Sequence, residues 1–305
     1  MMAIISSPYR DVTNLNPMVE LLLQCRATGR IDNWLTISEL RQICDPSDTG
    51  WEKQLWFDSG GKLLAFALLD RHFGSLYFYL QPQLQDNDLK RQIIAWAFQQ
   101  RQKAQTGQTS VRCQIREDDT ATIEFLKAEG FIKQDSYTVR LIRPLDEPIP
   151  TPALPSGFTI RHGLDEHRVE DYVAMHREAF GTTYMTVEER LTFMRDPAYI
   201  PELDLIVVSP EDIFAAFCVC RIDQQENAWN NLKEGWTDPI GTRPIFQRRG
   251  LARAALLVGL RQLRSYGMDT ALVGTGSWNI ATQRLCQSVG FRLLYNIVWY
   301  TKEMP

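Results

Sequence analysis

Gln247-Arg248-Arg249-Gly250-Leu251-Ala252 stands directly ahead of Leu256, Leu260 and Leu263, whose i, i+4, i+7 spacing predicts a helix that begins near the glycine. The first N–H groups of such a helix have no partner within it and face the preceding turn. Gly250 lets the backbone come close to a ligand, Arg248, Arg249 and Arg253 add positive charge, and the helix dipole contributes roughly half a unit charge more. This end reads as an anion site that fits a pyrophosphate. The chain contains no G-x-x-x-x-G-K-[ST], which argues against a P-loop, and the single glycine does not make the G-x-G-x-x-G of a dinucleotide fold. Taken without the turn, the arginines would be only a solvated helix end in an acidic chain.

At 305 residues the chain accommodates two domains, each large enough for its own core. Hydrophobic residues make up 44%, charged residues 23%, and the net charge is -4, a balance that disfavours a nucleic-acid partner. No stretch approaches the roughly 18 consecutive apolar residues of a membrane helix, and Met1-Met2-Ala3-Ile4-Ile5 is too short for a secretory signal. A cytoplasmic protein without a membrane partner is expected. The cysteines at 25, 44, 113, 218, 220 and 286 form no C-x-x-C and read as small core residues, and the four histidines make no H-E-x-x-H, so no metal is expected.

From Pro144 to Pro155, both included, stand five prolines among Asp, Glu, Thr and Ala, the composition of a stiff connector, which places a linker at 146–157 between domains at 1–145 and 158–305. Beyond it, Phe158 to Arg161 reads as a strand, Asp165 to Phe180 and Thr186 to Met194 as helices, and Leu203 to Val208 and Phe214 to Ile222 as strands. The glycine-led helix follows, then a strand at Ala271 to Gly274, a helix from Asn279, and a last strand in which Phe291, Leu293, Tyr295, Ile297 and Trp299 alternate.

Gln247, Gly250 and Ala252 occupy every fixed position of [Gln/Arg]-x-x-Gly-x-[Gly/Ala] at the head of a helix, and this turn resembles the acetyl-CoA signature of the GNAT superfamily of N-acyltransferases. Asn279-Ile-Ala-Thr-Gln-Arg-Leu-Cys-Gln-Ser-Val-Gly-Phe291, further along, resembles the family's next helix, which ends in Gly-Phe. The first half repeats the order: helices at Asn14 to Cys25 and Thr36 to Ile43, strands at 51–57, 63–69 and 76–80, a helix marked by Leu89, Ile93, Trp96 and Ala97, a strand at Val111 to Ile115, and a helix ending Gly130-Phe131. The chain therefore resembles tandem GNAT proteins such as those of the mycothiol synthase arrangement. The fold class so implied is α/β (α+β), two tandem domains each with a mixed, mostly antiparallel sheet flanked by helices. The first copy of the turn is spoiled, because Gln85-Asp86-Asn87-Asp88-Leu89-Lys90 puts carboxylates where an arginine and the glycine should be. This half is read as a degenerate, supporting domain.

The resemblance implies acetyl-CoA as acyl donor, held by Ile240, Gly241, Thr242, Gln247, Arg248, Arg249, Gly250, Leu251, Ala252 and Arg253, with the pantetheine arm in a gap between the strands on either side of the glycine-led helix. Pro239 has no N–H for a ladder and suits an edge or bulge, so backbone groups of Ile240, Gly241 and Thr242 are left for pantetheine and the acyl carbonyl, where an N–H would stabilise an oxyanion. Asn279 resembles the family's asparagine beside that arm and equally reads as a helix N-cap. Direct attack needs a base for the incoming amine, and Glu234, Trp236 and Asp238 share one strand face if no bulge intervenes, which leaves Glu234 or Asp238 for that role. Cys286 stands where many members place a tyrosine that protonates the leaving thiolate; it is either a substitute acid, with Tyr295, Tyr300 or water as other sources, or inert packing. The acceptor, a small-molecule amine or peptide end, is expected near Phe180, Gly181, Tyr184, Trp229 and Trp236, unless these aromatics are core. A non-catalytic acyl-CoA-binding or sensing protein would keep the same turn. Calorimetry on the intact chain is expected to show one acetyl-CoA per chain, abolished by Gly250→Asp, whereas two equivalent sites would contradict the reading of the first half.

Overall fold

The computed structural model describes residues 4–27, 35–46, 48–84, 86–103 and 110–304. Two compact units divide it, one made of residues 1–139 with 295–305 and the other of residues 140–294.

The first unit contains β1 (Ile5–Pro8), α1 (Val12–Ala27), α2 (Ile37–Ile43), β2 (Trp51–Phe57), β3 (Leu63–Asp70), β4 (Ser75–Leu80), α3 (Asn87–Lys103), β5 (Val111–Arg116), α4 (Thr120–Ala128) and most of β6 (Ile132–Pro144). Thr36 starts α2 with a reciprocal capping box to Glu39. Strands β1 to β4 are antiparallel neighbours in order, and β5 pairs parallel with β4 after the crossover through α3. β3 and β4 are buried on both faces, and alternate residues feed two cores: Phe66, Leu68 and Tyr79 pack with α1 and α2, while Ala67, Leu69 and Phe78 pack with α3 and α4.

The second unit contains β7 (Thr159–His162), α5 (Val169–Phe180), α6 (Val187–Arg195), β8 (Asp204–Val208), β9 (Phe214–Val219), α7 (Gln224–Asn230), β10 (Glu234–Trp236), β11 (Ile240–Thr242), α8 (Leu251–Ser265), β12 (Thr270–Gly276), α9 (Ile280–Gln287) and the start of β13 (Arg292–Lys302). Strands β11, β9, β8 and β7 form an antiparallel sheet in that order. β10 pairs parallel with β12. α8 presents Leu256, Leu260 and Leu263 to the interior, as the i, i+4, i+7 pattern requires.

The last strand departs from the sequence expectation. From Ile297 to Lys302, β13 pairs antiparallel with β5, residue by residue from Arg116 to Val111, so the end of the chain completes the first unit's sheet. The expected alternation from Phe291 is interrupted because Leu293 is exposed. The strands β1 and β6 and the helix α7 had no clear sequence signal, since short or mixed polar segments carry no strong period.

The proline-rich tract 146–157 lies within the second unit and is fastened to it. Buried Arg143 donates to the carbonyls of Val289, Pro144 and Pro148 at 2.6, 2.8 and 2.9 Å. Arg261 of α8 reaches the carbonyls of Ile149 and Pro150 at 3.3 Å, and the Leu145 N–H donates to Asp269. Prolines cannot supply donors for a ladder, so side chains of other elements satisfy their carbonyls instead. All six cysteines are buried, with Cys218 and Cys220 sulfurs 3.8 Å apart on one face, as packing residues would be. Arg143→Ala orphans three carbonyls at once and is expected to destabilise the full chain by about 3 kcal/mol, read as a lowered urea midpoint.

Candidate active site

At the centre of the second unit the chain passes from one sheet to the other within three residues. Trp236 is the last β10 residue paired to β12, opposite Leu272, and Thr237 still donates both its N–H and its hydroxyl to the Leu272 carbonyl. Two residues later the Pro239 carbonyl already accepts from Val219, and Ile240, Gly241 and Thr242 pair with Cys218, Phe217 and Ala216 of β9. β11, ahead of α8, and β12, behind it, are therefore in different sheets. The backbone between them splays.

Gly241 is fixed by close packing, since a Cβ there would lie 2.6 Å from the Phe217 ring and 3.0 Å from Ala179 of α5. Below the splay, α8 begins at Leu251 with Gly250 as its N-cap, at a φ of 81° that side-chain-bearing residues rarely adopt. No side chain caps this end, and nothing lies within 4 Å of where a Gly250 Cβ would stand. The first N–H groups of α8 have no acceptor within the helix. Gln247 to Gly250 are exposed; Gln247 ties the turn back to the Thr242 carbonyl at 3.3 Å, and the Arg249 guanidinium lies 5.6 Å from the centre of the buried Phe246 ring.

The corresponding end of α3 in the first unit is closed. Asp86 accepts from the Leu89 N–H at 2.9 Å, and Asp88 pairs with Arg91 at 2.6 Å, so a carboxylate already holds the place an anion would take. Gln85 lies outside the described residues.

The two candidate bases fall at different places. Asp238 stands at the splay with one oxygen on the Gly274 N–H at 3.0 Å and the other 3.4 Å from Arg221. Glu234 begins β10, opposite Thr270, about 13 Å of strand away. Trp236, expected at the acceptor pocket, is buried, with the buried Arg140 guanidinium 4.4 Å from its ring centre. Cys286 is fully buried on α9, and burial, then the Asp238 charge, pushes its thiol up to about 12. Tyr295 and Tyr300 belong to the first unit, Tyr300 in its core opposite Cys113. Asn279 is the N-cap of α9, accepting from the Thr282 N–H at 3.1 Å. On α5, Phe180 is 42% exposed and packs against His176 and Phe217, the ring beneath Gly241; Tyr184 and Trp229 are exposed.

Residues 166–291 match the acetyltransferase (GNAT) family. Over its whole length the chain superposes on a tandem GNAT protein from the clavulanic acid biosynthesis pathway, with a TM-score of 0.75 at 12% identity, covering 99% of each chain. The chain has the fold of a tandem GNAT protein, and residues 166–291 carry the family match. A GCN5-related N-acetyltransferase from Sphaerobacter thermophilus has the same fold, with a TM-score of 0.71 and 21% identity over 98% of this chain and 95% of that one. Among curated sequences, the mycothiol acetyltransferase of Thermobispora bispora is 30% identical over 160 residues, 50% of this chain and 52% of that protein. That of Frankia casuarinae is 24% identical over 177 residues, 55% and 51% respectively. The matched region thus spans about half the length of these relatives.

Two groups of this chain are not legible in the sequence because only folding brings them together. Arg221 and Arg140 come from segments far from the turn in sequence. Beneath α5, buried Tyr172 stacks on the Arg190 guanidinium, 3.9 Å away, and Arg190 pairs with Asp204, whose second partner is the Tyr199 hydroxyl at 2.7 Å. One turn along, His176 is pushed down to about 4 by burial and then by the Arg190 charge. Its proton affinity is lower folded than unfolded, so the unfolded chain binds the extra proton as pH falls below about 6.5. Stability contributed by His176 is therefore complete above that pH and lost as pH falls toward about 4. A His176→Phe variant is expected to flatten the pH dependence of the urea midpoint in this window; an unchanged slope would assign the acid sensitivity elsewhere.

Proposed function

We propose that this chain is an acetyl-CoA-dependent N-acetyltransferase that acylates the primary amine of a small molecule. The observation that carries this reading is the contrast between the two helix ends: α8 is uncapped and open at Gly250 beneath parted strands, whereas α3 is closed by Asp86. The N–H groups of Leu251, Ala252 and Arg253 hold the pyrophosphate, with Arg248, Arg249 and Arg253 adding charge and Gln247 shaping the turn. Ile240, Gly241 and Thr242 offer backbone groups along the parted edge, and Asn279 faces the same arm while capping α9. When bound, the thioester supplies an activated acyl carbon. The first unit, in this reading, supports the second and binds no cofactor of its own.

The acceptor enters beside Phe180 and Tyr184 on the α5 side, where Phe180 and Gly241 flank the same Phe217 ring. A small-molecule amine is favoured over a peptide end by the mycothiol acetyltransferase relatives. A backbone N–H of β11 meets the negative charge that develops on the acyl oxygen. Only the neutral amine attacks, so a proton must leave it first. Asp238 already holds the Gly274 amide and Arg221, so the proton is assigned to Glu234 through a relay of waters. Cys286 is a poor proton donor, because a thiol pushed up to about 12 gives its proton reluctantly, and the departing thiolate is protonated from water.

Incubating the full chain with acetyl-CoA and a panel of small amines, with free thiol as readout, tests the proposal. Acetyl-CoA binding with no thiol release for any amine would favour the acyl-CoA sensor instead, a reading supported by Cys286 in place of a tyrosine. For an amine that is turned over, Glu234→Gln is expected to lower kcat about a hundredfold and leave acetyl-CoA affinity intact. Its activity should recover as pH rises, since more of the amine is then already neutral. Near wild-type rates at neutral pH would remove Glu234 from the mechanism.

A further inference from the structure

The carboxylate at the splay is placed to do something other than proton transfer. β12 runs past the end of β10, and its Gly274 N–H lies beyond the last backbone ladder partner, which is Trp236 opposite Leu272. An interior amide without a partner costs free energy, so strands part only where something replaces the lost acceptor. Here the Asp238 side chain replaces it, at 3.0 Å. The other sheet holds the second oxygen. Arg221 follows β9, is bridged to Trp236 by two backbone hydrogen bonds of 2.8 and 3.0 Å, and brings its guanidinium within 3.4 Å of Asp238. Space is also reserved, because a Cβ at Gly274 would stand 2.5 Å from Arg140 and 3.4 Å from the same Asp238 oxygen.

We infer that Asp238 is a positioning residue, a clasp that substitutes for the backbone acceptor of Gly274 and is anchored by Arg221, keeping β11 and β12 apart so that the pantetheine arm has a gap to enter. The inference rests on the reading that this gap takes acetyl-CoA. It assigns Asp238 no proton. What the clasp needs is an acceptor oxygen facing Gly274, and charge matters only for the Arg221 side. An asparagine keeps the first and loses the second, while an alanine loses both.

The test measures acetyl-CoA affinity by calorimetry, exchange of the Gly274 amide by NMR, and the pH–rate profile, on the full chain. Asp238→Ala is expected to raise the acetyl-CoA Kd about tenfold or more and to speed Gly274 exchange by at least about tenfold. Asp238→Asn should rescue most of this, with Kd raised about threefold and the midpoints of the pH–rate profile unmoved. If Asp238→Ala does not fold, Arg221→Met replaces it and should raise Kd about threefold and speed the same exchange. The clasp is overturned if Gly274 exchange is as slow as in wild type in whichever of these variants folds. It is also overturned if Asp238→Asn loses about a hundredfold in kcat at unchanged Kd and recovers as pH rises, since that is the behaviour of a base. Should wild type bind no acetyl-CoA, the functional reading fails, and the Gly274 exchange rates still decide the clasp.

Discussion

The hydrogen bond from Thr237 to Leu272 and the one from Val219 to Pro239 lie two residues apart in the chain and belong to different sheets. That handover is the constraint from which the rest of the second unit follows. A strand that leaves its partner must have every amide satisfied by some other means, and a proline at the crossing supplies no donor that would need one. Once the strands part, a backbone edge is available that an intact sheet would consume, and α8 is the connection between the two strands.

Electrostatics distinguishes the two similar helix ends. A helix N-terminus attracts whatever negative charge is near, and a side-chain carboxylate on the same chain is always nearer than a ligand. In α3 Asp86 has taken the position; in α8 the N-cap is a glycine, which has nothing to offer its own amides. A left-handed φ at Gly250 excludes the usual capping residues and so keeps the end open.

Burial sorts the candidate catalytic groups. Cys286 and Trp236 are packed within the unit, and the cost of a charge in that environment holds the thiol neutral. His176 is held neutral for the same reason, beside an arginine that is itself balanced by Asp204. Arg190 and Asp204 form a buried ion pair, and removing one member of such a pair costs more than the pair contributes.

The sequence by itself determined the glycine-led turn, the helix behind it and the family resemblance, because a glycine at a helix head and leucines at i, i+4 and i+7 are local requirements written in neighbouring residues. It equally placed carboxylates at the head of the first copy's helix, since Asp86 and Asp88 fall within one helical turn. Tertiary structure alone decided where the chain's compact units end. The pairing of Ile297 to Lys302 with β5, and the anchoring of the proline tract by Arg143 and Arg261, depend on partners more than a hundred residues away in sequence. It also decided that Glu234 and Asp238 stand in different places with different partners. The period of a strand predicts one shared face for both, but the chain changes sheets between them, and the hydrogen-bonding demand of an amide at Gly274, invisible to any local pattern, claims the second carboxylate.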